Sequence, residues 1–133
     1  MNKLSGKIDS IRSSGNISIV KISVNGRILK SVVIETPATA PFLKKDETVN
    51  VIFKETEVSL AKNLSGKISL QNKLDCRVAY IENGELLSKV ILDYDGEKLV
   101  SIITQAAVED LELKPGDNVT ALIKTNEVIV AQE

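Results

Sequence analysis

The sequence is short of the residues on which much enzyme and metal chemistry depends. Its 133 residues include no histidine, no tryptophan, one cysteine, two tyrosines and two phenylalanines. The lack of histidine excludes histidine-based general acid–base catalysis and histidine-ligated metals. The one thiol, Cys76, cannot form an internal disulfide, so we expect a reduced thiol in a cytoplasmic protein.

Long apolar runs and the common catalytic motifs are also missing. No apolar run approaches the roughly 18 residues that indicate a membrane-spanning helix, and the first ten residues lack the apolar segment of a signal peptide. The sequence contains no GxxxxGK[ST], GxGxxG, GxSxG or CxxC motif. These absences predict a protein that is not an enzyme and has no membrane partner.

Charge and aromatic content argue against a nucleic-acid partner. The formal net charge is −1, whereas a protein that coats phosphates carries an excess of Lys and Arg. A module that binds single strands also needs stacking aromatic residues, and this chain has few. A nucleic-acid-binding module is therefore an alternative that the composition disfavours.

What the sequence does contain is an internal repeat. The tripeptide Asn-Lys-Leu occurs at 2–4 and again at 72–74, and a shift of 70 residues aligns the two halves without a gap. Roughly a quarter of the aligned positions are identical, and many others exchange one aliphatic residue for another. We therefore divide the chain into a first module (1–63), a bridge (64–71) and a second module (72–133).

Alternating apolar and polar residues predict strands in both modules. In the second module, the predicted strands are 73–82, 87–94, 98–104, 119–124 and 128–131. Asn-Gly at 25–26 and Asp-Gly at 95–96 are typical of type I′ hairpin turns. The segment 104–113 predicts a short helix with Thr104 as its N-cap. The predicted fold class is all-β with a short helix per module, in two tandem OB-like five-stranded β-barrel modules.

Each module is small for an independent domain. A 60-residue domain buries only about 60% of the surface that its unfolded chain exposes, so we expect a shared interface and a homo-oligomer, with a trimer favoured. The first module has ten Lys and Arg against six Asp and Glu, and the second has six against twelve. This difference fits either solvated surfaces that have drifted in composition or oppositely charged modules that pack on each other. We also expect the first strand to be exchanged between modules, because the bridge has a strand-like sequence.

A lysine ends the predicted fourth strand of both modules. Lys54 follows Val-Asn-Val-Ile-Phe and Lys124 follows Val-Thr-Ala-Leu-Ile, in the same register. A lysine at a strand end is commonly no more than a solvated charge. Because the lysine recurs after an apolar run in both modules, a functional role is favoured about as much as a solvated charge.

Two segments of the second module resemble a known family. They are SLQNKLDCRVAYIENG at 69–84 and VEDLELKPGDNVTALIKTNEVIVA at 108–131. They are similar to the opening Ser-Ala-Arg-Asn-x-Leu-x-Gly and the later S-V-E-D-L-G-L-K-x-G-D-x-V-T-A-L-I-K-A-x-x-V-I-L-A of the molybdate-binding Mop modules of molbindins, which have the TOBE fold. The first module is recognised mostly through the repeat, so the whole chain resembles a tandem Mop (di-Mop) protein.

The resemblance implies cytoplasmic binding, storage or homeostasis of molybdate or tungstate at module–module interfaces, in trimers of di-Mop chains and without an organic cofactor. Metal enters only as the oxyanion. A tetrahedral dianion has only acceptor oxygens, so it needs N–H, O–H and ammonium donors. The same pair of modules forms the C-terminal half of molybdate-responsive regulators. The alternative is therefore a ligand-sensing or interaction module in which oxyanion binding is weakened or lost.

The resemblance also implies a set of oxyanion-binding residues. They are Ser69, Gln71, Asn72, Thr104 and Lys124 for the second module, and Thr36, Thr39 and Lys54 for the first. The chain departs from the family pattern at Gln71, where the motif has arginine, at Cys76 (glycine) and at Ala107 (serine). Loss of one charged donor would cost roughly 1.5–3 kcal/mol of binding free energy per site.

Overall fold

Ten antiparallel strands account for most of the ordered backbone. The computed structural model describes residues 1–133. Its strands are β1 Asn2–Ser14, β2 Ile17–Val24, β3 Arg27–Val33, β4 Thr48–Phe53, β5 Ser59–Ala61, β6 Asn72–Glu82, β7 Leu87–Tyr94, β8 Glu97–Thr104, β9 Asn118–Ile123 and β10 Ile129–Gln132. They form two five-stranded sheets, in the orders β10-β4-β1-β2-β3 and β5-β9-β6-β7-β8. The all-β class with five strands in each sheet is therefore confirmed.

The two modules exchange their last strands. β5 belongs to the first module but pairs with β9, and β10 belongs to the second module but pairs with β4. The prediction that the first strand is exchanged was wrong, because β1 stays in its own sheet between β4 and β2. The sheets therefore do not coincide with the sequence repeat, since each contains four strands of one module and one of the other.

The bridge 64–71 forms no strand, contrary to its strand-like sequence. The chain crosses to the second sheet before β5 begins, so the bridge only has to connect β5 to β6 within one sheet. Gly66 in the bridge has a φ of +83°, a conformation that interrupts an extended strand.

Both predicted hairpin turns have the expected geometry. Asn25 and Gly26 have φ angles of 48° and 80°, and Asp95 and Gly96 have φ angles of 48° and 86°. Positive φ at both central residues defines a type I′ turn, whose twist matches that of the flanking strands. The turns join β2 to β3 and β7 to β8.

The predicted helix is present in the second module. Helix α1 spans Gln105–Asp110, and the hydroxyl oxygen of Thr104 accepts a hydrogen bond from the backbone N–H of Ala107 at 3.0 Å. The predicted N-cap is therefore confirmed.

The corresponding segment of the first module has turns and no helix, so the prediction of a helix in each module was wrong. Pro37 and Pro41 lie in this segment. A proline has no N–H group to donate, and it disfavours helical backbone angles in the residue before it. The N–H groups of Thr39 and Ala40 instead donate to the carbonyl of Thr36, at 3.0 and 2.8 Å.

Buried apolar side chains from both modules form one continuous core. The same strand positions contribute to it in each module, as the repeat predicts. Examples are Val20, Ile22 and Val24 in β2 and Val90, Leu92 and Tyr94 in β7. Two small modules thus share one core, which agrees with the expectation that neither buries enough surface alone.

Two buried serines hold the segments that cross between the sheets. The hydroxyl of Ser101 donates to the carbonyl of Val58 at 2.7 Å, and that of Ser31 donates to the carbonyl of Val128. These pairs are related by the shift of 70 residues. Each crossing segment therefore has the same anchor on the third strand of the other module.

Two ion pairs join the modules, and in both the cation belongs to the first module. Arg27 pairs with Asp75, and Lys62 pairs with Asp117 at 3.0 Å. The Arg27 pair is exposed and therefore adds little stability. Because the first module supplies the cation in both pairs, they favour the interpretation that the opposite charges of the modules help them to pack on each other.

Lys62 fastens the end of the exchanged strand β5. Its Nζ donates to the carbonyls of Leu111 and Glu112 at 3.1 and 3.0 Å, as well as to Asp117. These carbonyls lie just beyond α1, where backbone acceptors lack helical partners. Hydrogen bonds from the Lys114 backbone N–H and then from Lys62 hold the pKa of Asp117 below its ordinary value of 3.8.

None of the helices has the length and apolar character needed to span a membrane.

We expect Lys62→Met to lower the free energy of unfolding by about 1–2 kcal/mol, because backbone carbonyls lose a charged donor. The folded pKa of Asp117 is depressed, so its contribution is present above its unfolded pKa and is lost as pH falls through the folded value. The difference between wild type and variant should therefore shrink from about pH 7 to about pH 3. Urea unfolding at both pH values measures it.

The control for this prediction is Lys67→Met in the exposed bridge. It should change the free energy of unfolding by less than about 0.5 kcal/mol. Equal stability of the two variants at neutral pH would show that Lys62 does not fasten the exchanged strand.

Candidate functional site

Two buried asparagines join the modules at equivalent positions. Asn72 Nδ2 donates to the carbonyl of Lys30, and the N–H of Lys30 donates to Asn72 Oδ1, both at 2.8 Å. Asn2 forms the same two bonds with Val100, also at 2.8 Å. β3 and β8 are edge strands. Each carboxamide therefore hydrogen-bonds both the backbone N–H and the carbonyl of one edge-strand residue, as a neighbouring strand would.

Each strand-end lysine lies beside one of these contacts. Asn72 pairs with Ile123, the residue before Lys124, and Asn2 pairs with Phe53, the residue before Lys54. Both lysines are exposed, and neither forms an ion pair. The Asn72 junction is the group of Lys30, Gln71, Asn72 and Lys124. The Asn2 junction is the equivalent group of Val100, Met1, Asn2 and Lys54.

A short 3₁₀ turn follows each of these lysines. The turns are Glu55–Glu57 and Thr125–Glu127, and they lie against β8 and β3 respectively. Each turn belongs to one module and lies against the third strand of the other. The strand-end lysines are therefore placed where the modules meet, as expected for a site between modules.

The other predicted residues of the second module lie at different distances from the Asn72 junction. Gln71 directly precedes Asn72, and Ser69 lies two residues before Gln71. Both are exposed. The amide of Asn72 is already bonded to Lys30 on both sides, so its side chain holds the junction together.

The three predicted threonines lie beyond the junctions. Thr104 ends β8, four residues past Val100, or about 13 Å along an extended strand. Thr36 and Thr39 lie in the turns after β3, where Thr39 Oγ1 accepts from the Thr36 N–H at 2.9 Å and donates to the Thr36 carbonyl at 3.2 Å. The Asn72 junction thus offers lysine, glutamine, asparagine and backbone groups, and the threonine hydroxyls lie further away.

Lys30 is a junction residue that the repeat analysis missed. It occupies the position of Val100 in the second module. A search for residues shared by both modules selects Lys54 and Lys124 and passes over a cation present in only one. The signal that could have found it is the replacement of valine by lysine at equivalent positions of the repeat.

The two junctions differ in charge. At the Asn2 junction, Glu55 follows Lys54, and its carboxylate pairs with the Met1 ammonium group at 3.1 Å. The backbone N–H of Glu55 and this ammonium group hold the pKa of the carboxyl below its usual value. Thr125 takes the place of Glu55 at the Asn72 junction. That junction therefore has a second lysine and lacks the carboxylate.

Cys76 is a core residue and not part of either junction. Burial, and secondarily the neighbouring Asp75, raise the pKa of its thiol to about 12, so the thiol is protonated at neutral pH. Its equivalent in the first module is Gly6, where a Cβ would lie 2.7 Å from Ile22 and from the carbonyl of Ser23. The glycine is required only in the first module. No cluster of three or more Cys, Asp or Glu side chains is placed to hold a metal ion.

The sequence matches the TOBE domain over residues 68–130. Molybdenum-pterin-binding protein 3 of Clostridium pasteurianum is 36% identical over 64 residues, which make up 47% of this chain and 94% of that protein. Molybdenum-pterin-binding protein MopA of Rhodobacter capsulatus is 32% identical over 118 residues, or 87% of this chain and 44% of that protein.

Longer proteins also contain a similar segment. The molybdenum import ATP-binding protein ModC of Brucella abortus (strain 2308) is 37% identical over 83 residues, which cover 62% of this chain. The chain spans only 23% of the length of that relative.

A solved structure matches both modules together. A crystal structure of the cytoplasmic molybdate-binding protein ModG, with molybdate bound, superposes with a TM-score of 0.93 at 29% sequence identity. The match covers 99% of this chain and 96% of that chain, and it confirms the fold of two tandem OB-like modules. Because the chain is 36% identical to a single-module relative over 94% of its length, and matches ModG over both modules, it belongs to the Mop family as a tandem pair of TOBE modules.

Proposed function

We propose that the chain binds molybdate, or its analogue tungstate, and stores or buffers it in the cytoplasm. The observation that carries the proposal is the pair of equivalent junctions, each with an exposed, unpaired lysine next to an asparagine contact between modules. The names of the relatives support the ligand, because ModG is described as a cytoplasmic molybdate-binding protein. Each of the modules 1–63 and 72–133, linked by 64–71, supplies one of the two strand-end lysines.

The chemistry of the junctions suits a dianion. The ammonium groups of Lys54 and Lys124 have no carboxylate partner within the chain, so they can donate charge-assisted hydrogen bonds to oxyanion oxygens. Gln71 contributes a neutral amide donor where the family motif has arginine. Backbone N–H groups and the hydroxyl of Ser69 add further donors to the proposed set. The hydroxyls of Thr36, Thr39 and Thr104 lie beyond the junctions of one chain, so in this proposal they bind the oxyanion only across a contact between copies.

Binding alone accounts for this function. We assign no catalytic residue, no organic cofactor, and no nucleic-acid or membrane partner. The alternative role, a sensing or interaction module with weakened oxyanion binding, is favoured specifically by Gln71 and Ala107, which replace charged and hydroxyl donors of the family motif.

We propose that the chain forms a trimer through the outer face of the β2–β3 hairpin. Ile17 and Ile19 of β2, Ile28 of β3 and Ile34 just after β3 are 46%, 42%, 43% and 76% exposed, and the Lys21–Lys30 pair lies on the same face between Ile19 and Ile28. Ile17, Ile19 and Ile34 lie together at the open end of the hairpin, and adjacent exposed apolar side chains indicate a contact surface.

We expect Lys124→Met to weaken molybdate binding by about 10- to 100-fold, because the change keeps the aliphatic stem and removes a charged donor worth roughly 1.5–3 kcal/mol. Isothermal titration of the full chain with molybdate, tungstate and sulfate measures the affinity. Raising the salt concentration should weaken wild-type binding, since the junction lysines are exposed.

The control for Lys124→Met is Lys45→Met, an exposed lysine in the turn before β4 and thus at the opposite end of that strand from Lys54. It should bind molybdate like the wild type. No heat with either oxyanion in the wild type would reject the proposed function and favour the interaction module.

We expect light scattering at micromolar concentration to give a mass about three times the 14.5 kDa of one chain. Ile19→Lys should shift the protein towards monomers, because it places a charge in the proposed contact surface. Leu64→Lys, at an exposed apolar residue in the bridge, should leave the mass unchanged. A wild-type mass of one chain would contradict the proposed assembly.

A further inference from the structure

We propose that Lys30, supported by Lys21, makes the Asn72 junction the tighter of two unequal oxyanion sites. This inference rests on the proposed function and adds to it a residue that controls affinity. It follows from the register of the β2–β3 hairpin, from the charges that surround it, and from the equivalent hairpin in the second module.

The register of the β2–β3 hairpin determines which way the backbone N–H and carbonyl of Lys30 point. Val24 and Arg27 flank the two-residue turn and form the closing hydrogen-bonded pair, so hydrogen-bonded and non-hydrogen-bonded pairs alternate from there. Lys21 and Lys30 are the fourth pair and therefore a non-hydrogen-bonded one. The backbone of Lys30 consequently faces the free edge of the sheet, where it meets Asn72.

The same register brings two cations together. Side chains of a non-hydrogen-bonded pair approach most closely, with Cβ atoms about 4.5–5.5 Å apart, and like charges directly opposite are destabilising. Neither Lys21 nor Lys30 forms an ion pair within the chain. Lys30 is half-buried, which further disfavours an uncompensated charge. A bound dianion would compensate both ammonium groups.

The second module has an apolar pair at these positions. Ile91 lies opposite Val100 in the same register, and Ile91 is almost fully buried. The Asn2 junction therefore has Lys54 as its strand-end cation and a hydrocarbon side chain where the Asn72 junction has a second ammonium group. Glu57 and Glu127 are common to the two 3₁₀ turns and do not distinguish the junctions. Glu55 is present only at the Asn2 junction, where its carboxylate pairs with the Met1 ammonium group, so this pair adds no net charge there.

Lys30 and Gln71 are linked through Asn72. The family motif has arginine at position 71, and this chain has a neutral amide. Asn72 connects the two, because it follows Gln71 in the chain and binds the backbone of Lys30. Lys30 can thus supply from the other module the positive charge that position 71 lacks.

Calorimetric titration of the full chain with sodium molybdate tests this inference through two reciprocal variants. The wild type should show two classes of site. Lys30→Val gives position 30 the residue found at position 100 and should weaken the tighter class by about 10-fold, the effect of losing roughly 1.4 kcal/mol. Val100→Lys gives position 100 the cation found at position 30 and should tighten the weaker class by a similar factor.

Two further variants separate charge from structure. Lys30→Arg keeps the charge and should keep the tighter class within about three-fold, which is under 1 kcal/mol. Lys45→Met should leave both classes unchanged. Circular dichroism melts establish that each variant is folded at the titration temperature.

The outcomes distinguish this inference from the proposed function. No molybdate binding by the wild type would reject the proposed function and this inference with it. Wild-type binding that neither Lys30→Val nor Val100→Lys alters would overturn the inference alone. A loss in Lys30→Arg as large as in Lys30→Val would also overturn it, because the charge would then not be the cause.

Discussion

The structure depends on how the chain satisfies the open edges of its two sheets. An edge strand presents a row of unpaired N–H and C=O groups, and such edges also invite pairing with other chains. By exchange, β10 and β5 each pair with the outermost strand of the other module, β4 and β9, and Asn72 and Asn2 each bind a residue on the opposite edge. Each of these contacts comes from the other module, so neither module can satisfy its own edges.

This arrangement also creates the candidate site. The strand-end lysines directly follow β4 and β9, the strands on which β10 and β5 are added. Immediately after each lysine, the chain turns towards the third strand of the other module. A segment that crosses between modules therefore carries a cation to the boundary between them. The position of the candidate site is a consequence of the exchange.

Most of the fold was predictable because it depends on local patterns. Alternation of apolar and polar residues gave β7 its observed bounds, the Asn-Gly and Asp-Gly pairs identified both turns, and Thr104 marked the start of α1. The missing helix of the first module was also encoded locally, in Pro37 and Pro41, but the repeat directed attention to what the modules share.

The exchange of the last strands could not be predicted in the same way. A strand such as Ser59–Ala61 has the same pattern whether it pairs with its own module or with the other. Pairing partners are decided by the path of the chain and by contacts such as those of Ser31 and Ser101, which local periodicity does not describe. The candidate site has the same limitation, since Lys30 reaches the Asn72 junction only through tertiary structure.

Fusion in one chain allows equivalent positions of the two modules to carry different residues. In a symmetric dimer of single modules, every substitution appears twice and changes both equivalent contacts. In a tandem chain it appears once, so one contact can change while its counterpart stays the same. Lys62 has three hydrogen bonds at a position where the other module has Gln132, and Lys30 faces Asn72 where Val100 faces Asn2. Fusion therefore allows the two junctions to differ in charge, and hence in affinity for one ligand, while the paired asparagines keep the same backbone geometry at both.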